Sequence, residues 1–402
     1  LENQITVLKF GGTSVGDFDK IRAIANYLKE RINLGEKLVV VVSAMGKTTD
    51  HLLESVQQLS STPKESALAM LLTTGEQQTI SYLSIVLNDL NIAATALTGA
   101  QAGIKTKGHH LKSKIITIDA SLIKQKLENN DCLIVAGFQG INEFNEMTTL
   151  GRGGSDTSAV ALAASLNVPC EIYTDVAGVF GTDPRLYPNV KQLHQLSYEE
   201  MMEMSSLGAG VLETRSIEIA MNYQIPIYLA KTLSKQKGTW IMSQNEIIER
   251  KAVTGVALDQ NMQYVTIHYP MNDARLIKMI FNALEEGFIN IDMISQIVNE
   301  EGLQISFTMK DTDTTQITNI FEEIKTTYPS LIYKMQSNYV KISVIGSGMK
   351  DMSGVASKVF ITLIDEDIPF YQVTTSEISI SYVIDKQNGK HAVQTLCEAF
   401  QI

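Results

Sequence analysis

Ile5-Thr6-Val7-Leu8-Lys9-Phe10-Gly11-Gly12-Thr13-Ser14-Val15-Gly16 decides how the rest of the chain reads. Five of the six residues from Ile5 to Phe10 are apolar or β-branched, the pattern of a buried strand, and a glycine pair then lets the backbone turn tightly. In a sheet covered on both faces a charge is tolerated where a strand runs out, and that carboxyl end is where open α/β sheets bind ligands. Lys9 stands there. The amides from Gly11 to Ser14 open the next element, so they and the Lys9 point charge form a candidate phosphate grip. Taken alone, Lys-Phe-Gly-Gly reads equally as a solvated lysine at a tight turn. Two nearby stretches fail as P-loops: Gly46-Lys47-Thr48 has Val41 where the first glycine belongs, and Ile104 separates Gly103 from Lys105.

Working outward, Phe18 to Asn33 has helical spacing and Leu38 to Val42 is a continuous apolar run, so the chain opens with a βαβ unit. Thr48, Thr49 and Asp50 then read as helix caps or as ligand contacts. Thr73-Thr74-Gly75-Glu76 interrupts a helical stretch. Glu76 is either a charge favouring a helix start or a carboxylate for a ligand ammonium. Further strands are expected at Ile92 to Leu97, Leu133 to Ala136, Glu171 to Thr174 and Ile225 to Ala230, with a loop or hairpin insertion at 99–110. Several of them end in glycine or small polar residues, as ligand binding along a carboxyl edge requires.

Gly151-Arg152-Gly153-Gly154-Ser155-Asp156 precedes a helix from Ala159 to Leu166. The glycines expose amides, Ser155 reads as the cap, and Arg152 can hold a planar anion through two parallel hydrogen bonds at a partially positive helix end. This is a candidate carboxylate site. Asp156 orients a donor there or stabilises the first helical turn. Gly178 to Arg185 turns twice, offering Phe180 as a ring for a base and Arg185 for phosphate.

Bulk properties restrict the alternatives. At 402 residues the chain is long enough for two or three domains, and 44% hydrophobic with 19% charged residues is a globular composition. A net charge of -11 argues against nucleic acid as a general partner. Cys132, Cys170 and Cys397 are few, odd in number and far apart, and the six histidines have no ligand spacing, so neither a disulfide framework nor a protein-bound metal is expected. No leader-like segment opens the sequence and no apolar run approaches a membrane span, which points to a cytoplasmic protein without a membrane partner.

The C-terminal part repeats itself. Tyr264–His268, 273–286, Ile289–Val298, Leu303–Met309, 315–327 and Leu331–Met335 read as βαββαβ. A second copy from Val340 ends one strand short, and Val253 to Leu258 is the available donor of that strand. The expected organisation is a domain at 1–245, a discontinuous module from 253–258 and 339–402, and a module at 262–337 inserted within it.

With Lys9 to Val15, Ser43 to Asp50, Gly75-Glu76, Thr149 to Thr157 and Thr174 to Arg185 in hand, the chain resembles the aspartokinases over essentially its whole length. The resemblance implies an α/β fold: a three-layer αβα amino-acid-kinase domain with a mainly parallel sheet, followed by two ferredoxin-like ACT domains. It implies ATP- and Mg2+-dependent phosphorylation of the L-aspartate side-chain carboxylate, the first step toward lysine, threonine and methionine. By motif, Lys9 and Asp156 would be catalytic, and Thr49, Glu76, Arg152 and Ser155 would hold aspartate. Lys9, Gly11, Gly12, Ser14, Thr174, Asp175, Phe180 and Arg185 would hold the nucleotide. Met271, Asp273, Asn290, Ile291, Asp292, Thr375, Ser376 and Glu377 would surround a lysine or threonine effector. A homodimer through the ACT domains is implied, with a shorter regulatory subunit as an option. The alternatives are a kinase for another small acidic amino acid and an amino-acid sensor with a weak kinase domain.

Two stretches depart from the family. Gly208-Ala209-Gly210-Val211-Leu212-Glu213-Thr214 stands where relatives often read Gly-Ala-Lys-Val-Leu-His-Pro, so a lysine that approaches nucleotide phosphates is here Gly210, and Lys231 is the candidate substitute. Met271-Asn272-Asp273-Ala274 stands where relatives commonly carry Pro-Gly.

Overall fold

A computed structural model describes residues 4–207, 210–247, 251–350 and 352–402. The chain divides into two units, Leu1–Val179 with Gln192–Ser205 and Gly210–Glu249, and Phe180–Lys191 with Ser206–Ala209 and Arg250–Ile402. Leu186, Tyr187 and Val190 belong to the apolar core of the second unit.

The first unit is built on eight strands: β1 (Ile5–Phe10), β2 (Lys37–Val42), β3 (Ala94–Leu97), β4 (Cys132–Ala136), β5 (Cys170–Thr174), β6 (Gln195–Ser197), β7 (Ile227–Lys231) and β8 (Thr239–Met242). They form one sheet in the order β6-β8-β7-β5-β1-β2-β4-β3. From β7 to β3 every pairing is parallel, and β8 runs antiparallel to β7. Continuous apolar runs such as Leu38 to Val42, all fully buried, are what a parallel sheet covered on both faces needs.

Strand alternation assigns the faces. Leu8 and Phe10 pack on Ile21, Ile24 and Leu28 of α1 (Phe18–Asn33) and on Leu83 and Leu87 of α2 (Thr74–Asp89). Lys9 therefore points to the opposite face, under α3 (Gly154–Leu166), which packs on β1, β2 and β5. α3 is rich in Ala and Ser because it is itself covered by α4 (Thr214–Tyr223). The segment around 99–110 contributes two strands, Ile104–Lys107 and Lys114–Ile118, to a separate four-stranded sheet with Gln139–Ile141 and Met147–Thr149.

The second unit holds two four-stranded antiparallel sheets. β10 (Met262–Tyr269), α5 (Ala274–Glu286), β11 (Ile291–Asn299), β12 (Gly302–Lys310), α6 (Thr314–Thr327) and β13 (Ile332–Gln336) form one module, and β9 (Gly255–Asp259) precedes them. Its strand order is β11-β12-β10-β13. The other comprises β14 (Tyr339–Ile345), α7 (Val355–Asp365), β15 (Phe370–Thr375), β16 (Ser379–Asp385) and α8 (Gly389–Phe400), with the order β9-β14-β16-β15. β9 thus fills the edge position that β13 fills in its own sheet. Odd-numbered residues of β12 and even-numbered residues of β14 face their helices, giving two separate cores. The opposite sheet faces meet through Met262, Tyr264, Met293, Tyr339 and Val383. That second contact is polar as well as apolar. Lys341 Nζ lies 2.5 Å from Asp292, and the Gln372 amide joins Ser306 (3.0 Å) and donates to the Met293 carbonyl.

Candidate active site

Lys9 is 8% exposed at the carboxyl end of β1, and its Nζ sits 2.6 Å from Asp156 Oδ1 on the first turn of α3. The contact is an ion pair by distance, with the ammonium off the direction a hydrogen bond to that oxygen requires. Gly137 explains how α3 comes so near the strand ends. A Cβ there would stand 2.8 Å from the Ser155 Cβ, so only glycine fits beneath this helix start.

The pair lines a cleft of about 250 Å³ together with Gly12, Ala44, Thr49, Glu76, Phe138, Arg152 and Ser155. Six residues that the sequence assigned to phosphoryl transfer and aspartate (Lys9, Thr49, Glu76, Arg152, Ser155, Asp156) are therefore brought to one place. Glu76 is 3% exposed on the first turn of α2. Its Oε1 accepts the Ala44 N–H at 3.2 Å, while Oε2 is buried with no hydrogen-bond partner among the described residues. Burial pushes its carboxyl up to about 7, opposed only in part by two backbone amides. A buried carboxylate oxygen without a donor is a place for a ligand cation.

Arg152 is exposed on the loop between Gly151 (φ 81°) and Gly153 (φ 64°). The helix cap is Gly153, in the left-handed region, and α3 begins at Gly154. Ser155 is thus inside the first turn, a correction to its reading as the cap. A Cβ on Gly153 would meet the Glu213 side chain at 2.4 Å, and Arg215 donates to the Leu150 carbonyl at 3.1 Å. Glu213 and Arg215, at the start of α4, buttress this loop. Sequence reading assigned them nothing, because the approach is between segments far apart in the chain. Phe138 was also missed. It lines the cleft with φ 69°, a conformation uncommon for an aromatic residue, and its N–H is accepted by Ser158 Oγ at 3.1 Å.

The glycine turn after β1 is used partly by the protein itself. Gly11 N–H donates to the Tyr173 carbonyl (3.2 Å) and Ser14 N–H to the Gly11 carbonyl (2.9 Å). The Gly12 and Thr13 amides have no protein partner among the described residues. Ser14 Oγ lies 2.6 Å from Thr232 Oγ1, and Thr232 also donates to the Thr174 carbonyl at 3.0 Å. Thr174 ends β5, and its hydroxyl meets the Asp175 carboxylate at 3.1 Å. Phe180 and Arg185 belong to the second unit, where Arg185 forms a two-point pair with Asp183. Among the described residues, none but its chain neighbours comes within 4 Å of where a Cβ on Gly210 would stand.

Among the expected effector residues, Met271 is exposed and Asp273 caps α5 by accepting the Arg275 N–H at 2.8 Å. Asn290 and Ile291 stand at the start of β11 and Thr375 at the end of β15. The Asp292 carboxylate is taken by Lys341, and Glu377 by Lys350 at 2.8 Å. Ser376 Oγ accepts the Ser379 N–H at 3.0 Å in the turn before β16.

A parallel sheet carrying a lysine, an amide turn and an arginine-lined cleft on its carboxyl edge, followed by two βαββαβ modules, is the architecture of a small-molecule phosphotransferase with regulatory domains. Comparison with known proteins agrees. The amino acid kinase family pattern matches residues 4–231 and an ACT domain pattern matches 342–400. Aspartokinase 2 of Bacillus subtilis is 42% identical over 399 residues, covering 99% of this chain and 98% of the relative. The aspartokinase of Helicobacter pylori (strain ATCC 700392 / 26695) is 38% identical over 408 residues, 99% of each. Aspartate kinase from Synechocystis is 36% identical, with a TM-score of 0.55 over 99% of this chain and 70% of that one. Escherichia coli aspartokinase III in complex with aspartate and ADP shares the fold at a TM-score of 0.80 and 21% identity, over 99% and 100% of the two chains. The chain belongs to the amino acid kinase family and, within it, to the aspartokinases. It is an enzyme, an aspartate kinase, with a carboxyl group as the phosphoryl acceptor. No helix among the described residues is long and apolar enough to cross a membrane.

Proposed function

We propose that the cleft around Lys9 transfers the γ-phosphoryl group of Mg·ATP to the side-chain carboxylate of L-aspartate, giving 4-phospho-L-aspartate and ADP. The observation that carries this reading is Glu76 Oε2, buried and unpartnered in the same cleft as Arg152 and Lys9. Glu76 takes the α-ammonium of the substrate and Arg152 its α-carboxylate, with Thr49 and Ser155 beside them. The substrate's side-chain carboxylate is then left to face Lys9. It is already a nucleophile, so no general base is required: its oxygen bonds to the γ-phosphorus as the bond to the β-phosphate oxygen breaks. Lys9 neutralises charge on the transferring group, and Asp156 holds the ammonium in place.

Gly11, Gly12, Ser14, Thr174 and Asp175 are assigned to the nucleotide, as are Phe180 and Arg185. Magnesium arrives on the phosphates. Asp156 is the acidic group beside Lys9 and is already paired, which suits a metal held mainly by ATP. The catalytic domain is assigned to about 1–245, the inserted ACT domain to 262–337, and the discontinuous one to 253–258 with 339–402.

Feedback by lysine or threonine through the ACT domains, a cytoplasmic place at the head of lysine, threonine and methionine synthesis, and a homodimer complete the proposal. In its favour, a solved Escherichia coli aspartokinase III is in complex with lysine and aspartate. The β11 edge strand exposes Ile294, Ile297 and Val298, which suits pairing with a second copy. The test is ADP release with aspartate or glutamate as acceptor, with and without each effector. Aspartate-specific turnover suppressed by one effector supports the reading. Equal turnover on glutamate, or none on aspartate, refutes the substrate assignment, and co-purification of differently tagged chains tests the dimer.

A further inference from the structure

The carboxyl edge of the sheet carries a second lysine to which the proposed chemistry gives no role. Lys231 closes β7, and the register fixes its direction. Lys9 is level with Ile172 on β5, and Ile172 is level with Leu229 on β7. Residues level with one another across neighbouring strands share a face, and alternate residues along a strand return to it. Lys231, two past Leu229, is therefore on the Lys9 face. It lies two strands away, about 10 Å across the sheet, and about 7 Å further toward the carboxyl edge.

Its backbone is held there. Lys231 is level with Thr174, Thr232 N–H donates to the Thr174 carbonyl at 2.9 Å, and Thr232 Oγ1 is 2.6 Å from Ser14 Oγ in the glycine turn. The residue after Lys231 is thus bonded to the loop whose Gly12 and Thr13 amides stand open. The Lys231 side chain is exposed and forms no ion pair with the described residues, unlike Lys9, Lys37 and Lys341.

We infer that Lys231 is the second cation of the nucleotide-phosphate site in this chain, gripping the polyphosphate from β7 while Lys9 meets the transferring phosphoryl on β1. This rests on the kinase reading above and adds a residue to its nucleotide side. Assigned to the phosphates beyond the first, the Lys231 charge is felt by ATP and ADP and not by AMP, which is how the inference is read out.

The experiment is calorimetric binding of ATP, ADP and AMP, each with magnesium, to the full-length protein and to Lys231→Ala and Lys231→Arg. Lys231→Ala weakens ATP and ADP about tenfold or more, changes AMP less than about twofold, and leaves the KM for aspartate unchanged. Lys231→Arg keeps most of the affinity. ATP binding by Lys231→Ala equal to the parent's, or an equal loss for AMP, overturns the inference, as does a parent that binds no nucleotide. A parent that binds ATP in the expected pattern yet phosphorylates no aspartate refutes the kinase reading and leaves the Lys231 assignment standing.

Discussion

The Lys9 ammonium and the Asp156 carboxylate stand 2.6 Å apart, one at the end of a central strand and the other on the first turn of the helix that covers it. The pair fixes a flexible side chain where the proposed transfer would develop charge. Lys9→Ala is expected to lower kcat about 100- to 1000-fold, the usual effect of removing one preorganised charge donor, while nucleotide and aspartate still bind. Asp156→Asn lowers kcat less and leaves the fold intact. Steady-state kinetics with circular dichroism check both.

If Glu76 receives the substrate ammonium as proposed, aspartate binding depends on pH. Its carboxyl is pushed up to about 7 by burial and must be ionised for that role, so the KM for aspartate is expected to rise as pH falls from 8 to 6. Glu76→Gln abolishes that dependence and raises KM throughout.

The same group acts on stability with the opposite sign. Because the folded-state value lies above the ordinary 4.5, the protonated form favours folding, and that contribution is lost as pH rises through about 7. Without ligand, Glu76→Gln is therefore expected to melt higher than the parent at pH 8, by the equivalent of about 3 kcal/mol. The difference shrinks at pH 5. Calorimetric melts at both values test it.

Arg152 is exposed, and its charge is worth most once the substrate covers it. Arg152→Lys keeps the charge and loses the two-point grip, so the KM for aspartate rises about 10- to 100-fold with a smaller change in kcat. An unchanged KM would move the α-carboxylate elsewhere. The loop that carries it depends on Gly153, whose φ of 64° and contact with Glu213 leave no room for a Cβ. Gly153→Ala is expected to lower both the melting temperature and aspartate affinity.

In the second unit, Asp292 ties the two sheets through Lys341. Burial alone would raise its carboxyl, but the hydrogen bond and charge of Lys341, helped by the Met293 N–H, hold it below the ordinary 3.8. The tie is present above that value and lost as pH falls through the lower folded-state one. Asp292→Asn leaves Lys341, 5% exposed, without its counter-charge, and is expected to destabilise more than Lys341→Met does. Denaturant melts of the two variants decide the order.

The candidate site was legible where its residues are neighbours in sequence. A lysine at the end of an apolar strand, a glycine turn after it, and an arginine among glycines before a helix are each recognisable within a few residues, and the structure brings Lys9, Gly12 and Arg152 to one cleft. The aspartokinase resemblance supplied the order of those motifs. The repeated βαββαβ pattern and its missing strand were likewise readable from periodicity. Illegible features depend on distant approach: Glu213 against Gly153, the φ of 69° at Phe138, and the burial that leaves Glu76 Oε2 without a donor. Ser155 shows a smaller limit. A left-handed glycine starts the helix two residues earlier than a serine cap would place it.

The most direct test of the account traps the product. The protein is incubated with Mg·ATP, L-aspartate and hydroxylamine, and the hydroxamates are separated by position. The account predicts the side-chain hydroxamate of aspartate, formed in step with ADP and nearly absent with Lys9→Ala. ADP release without that hydroxamate, a hydroxamate at the α-carboxyl, or undiminished product from Lys9→Ala would contradict it.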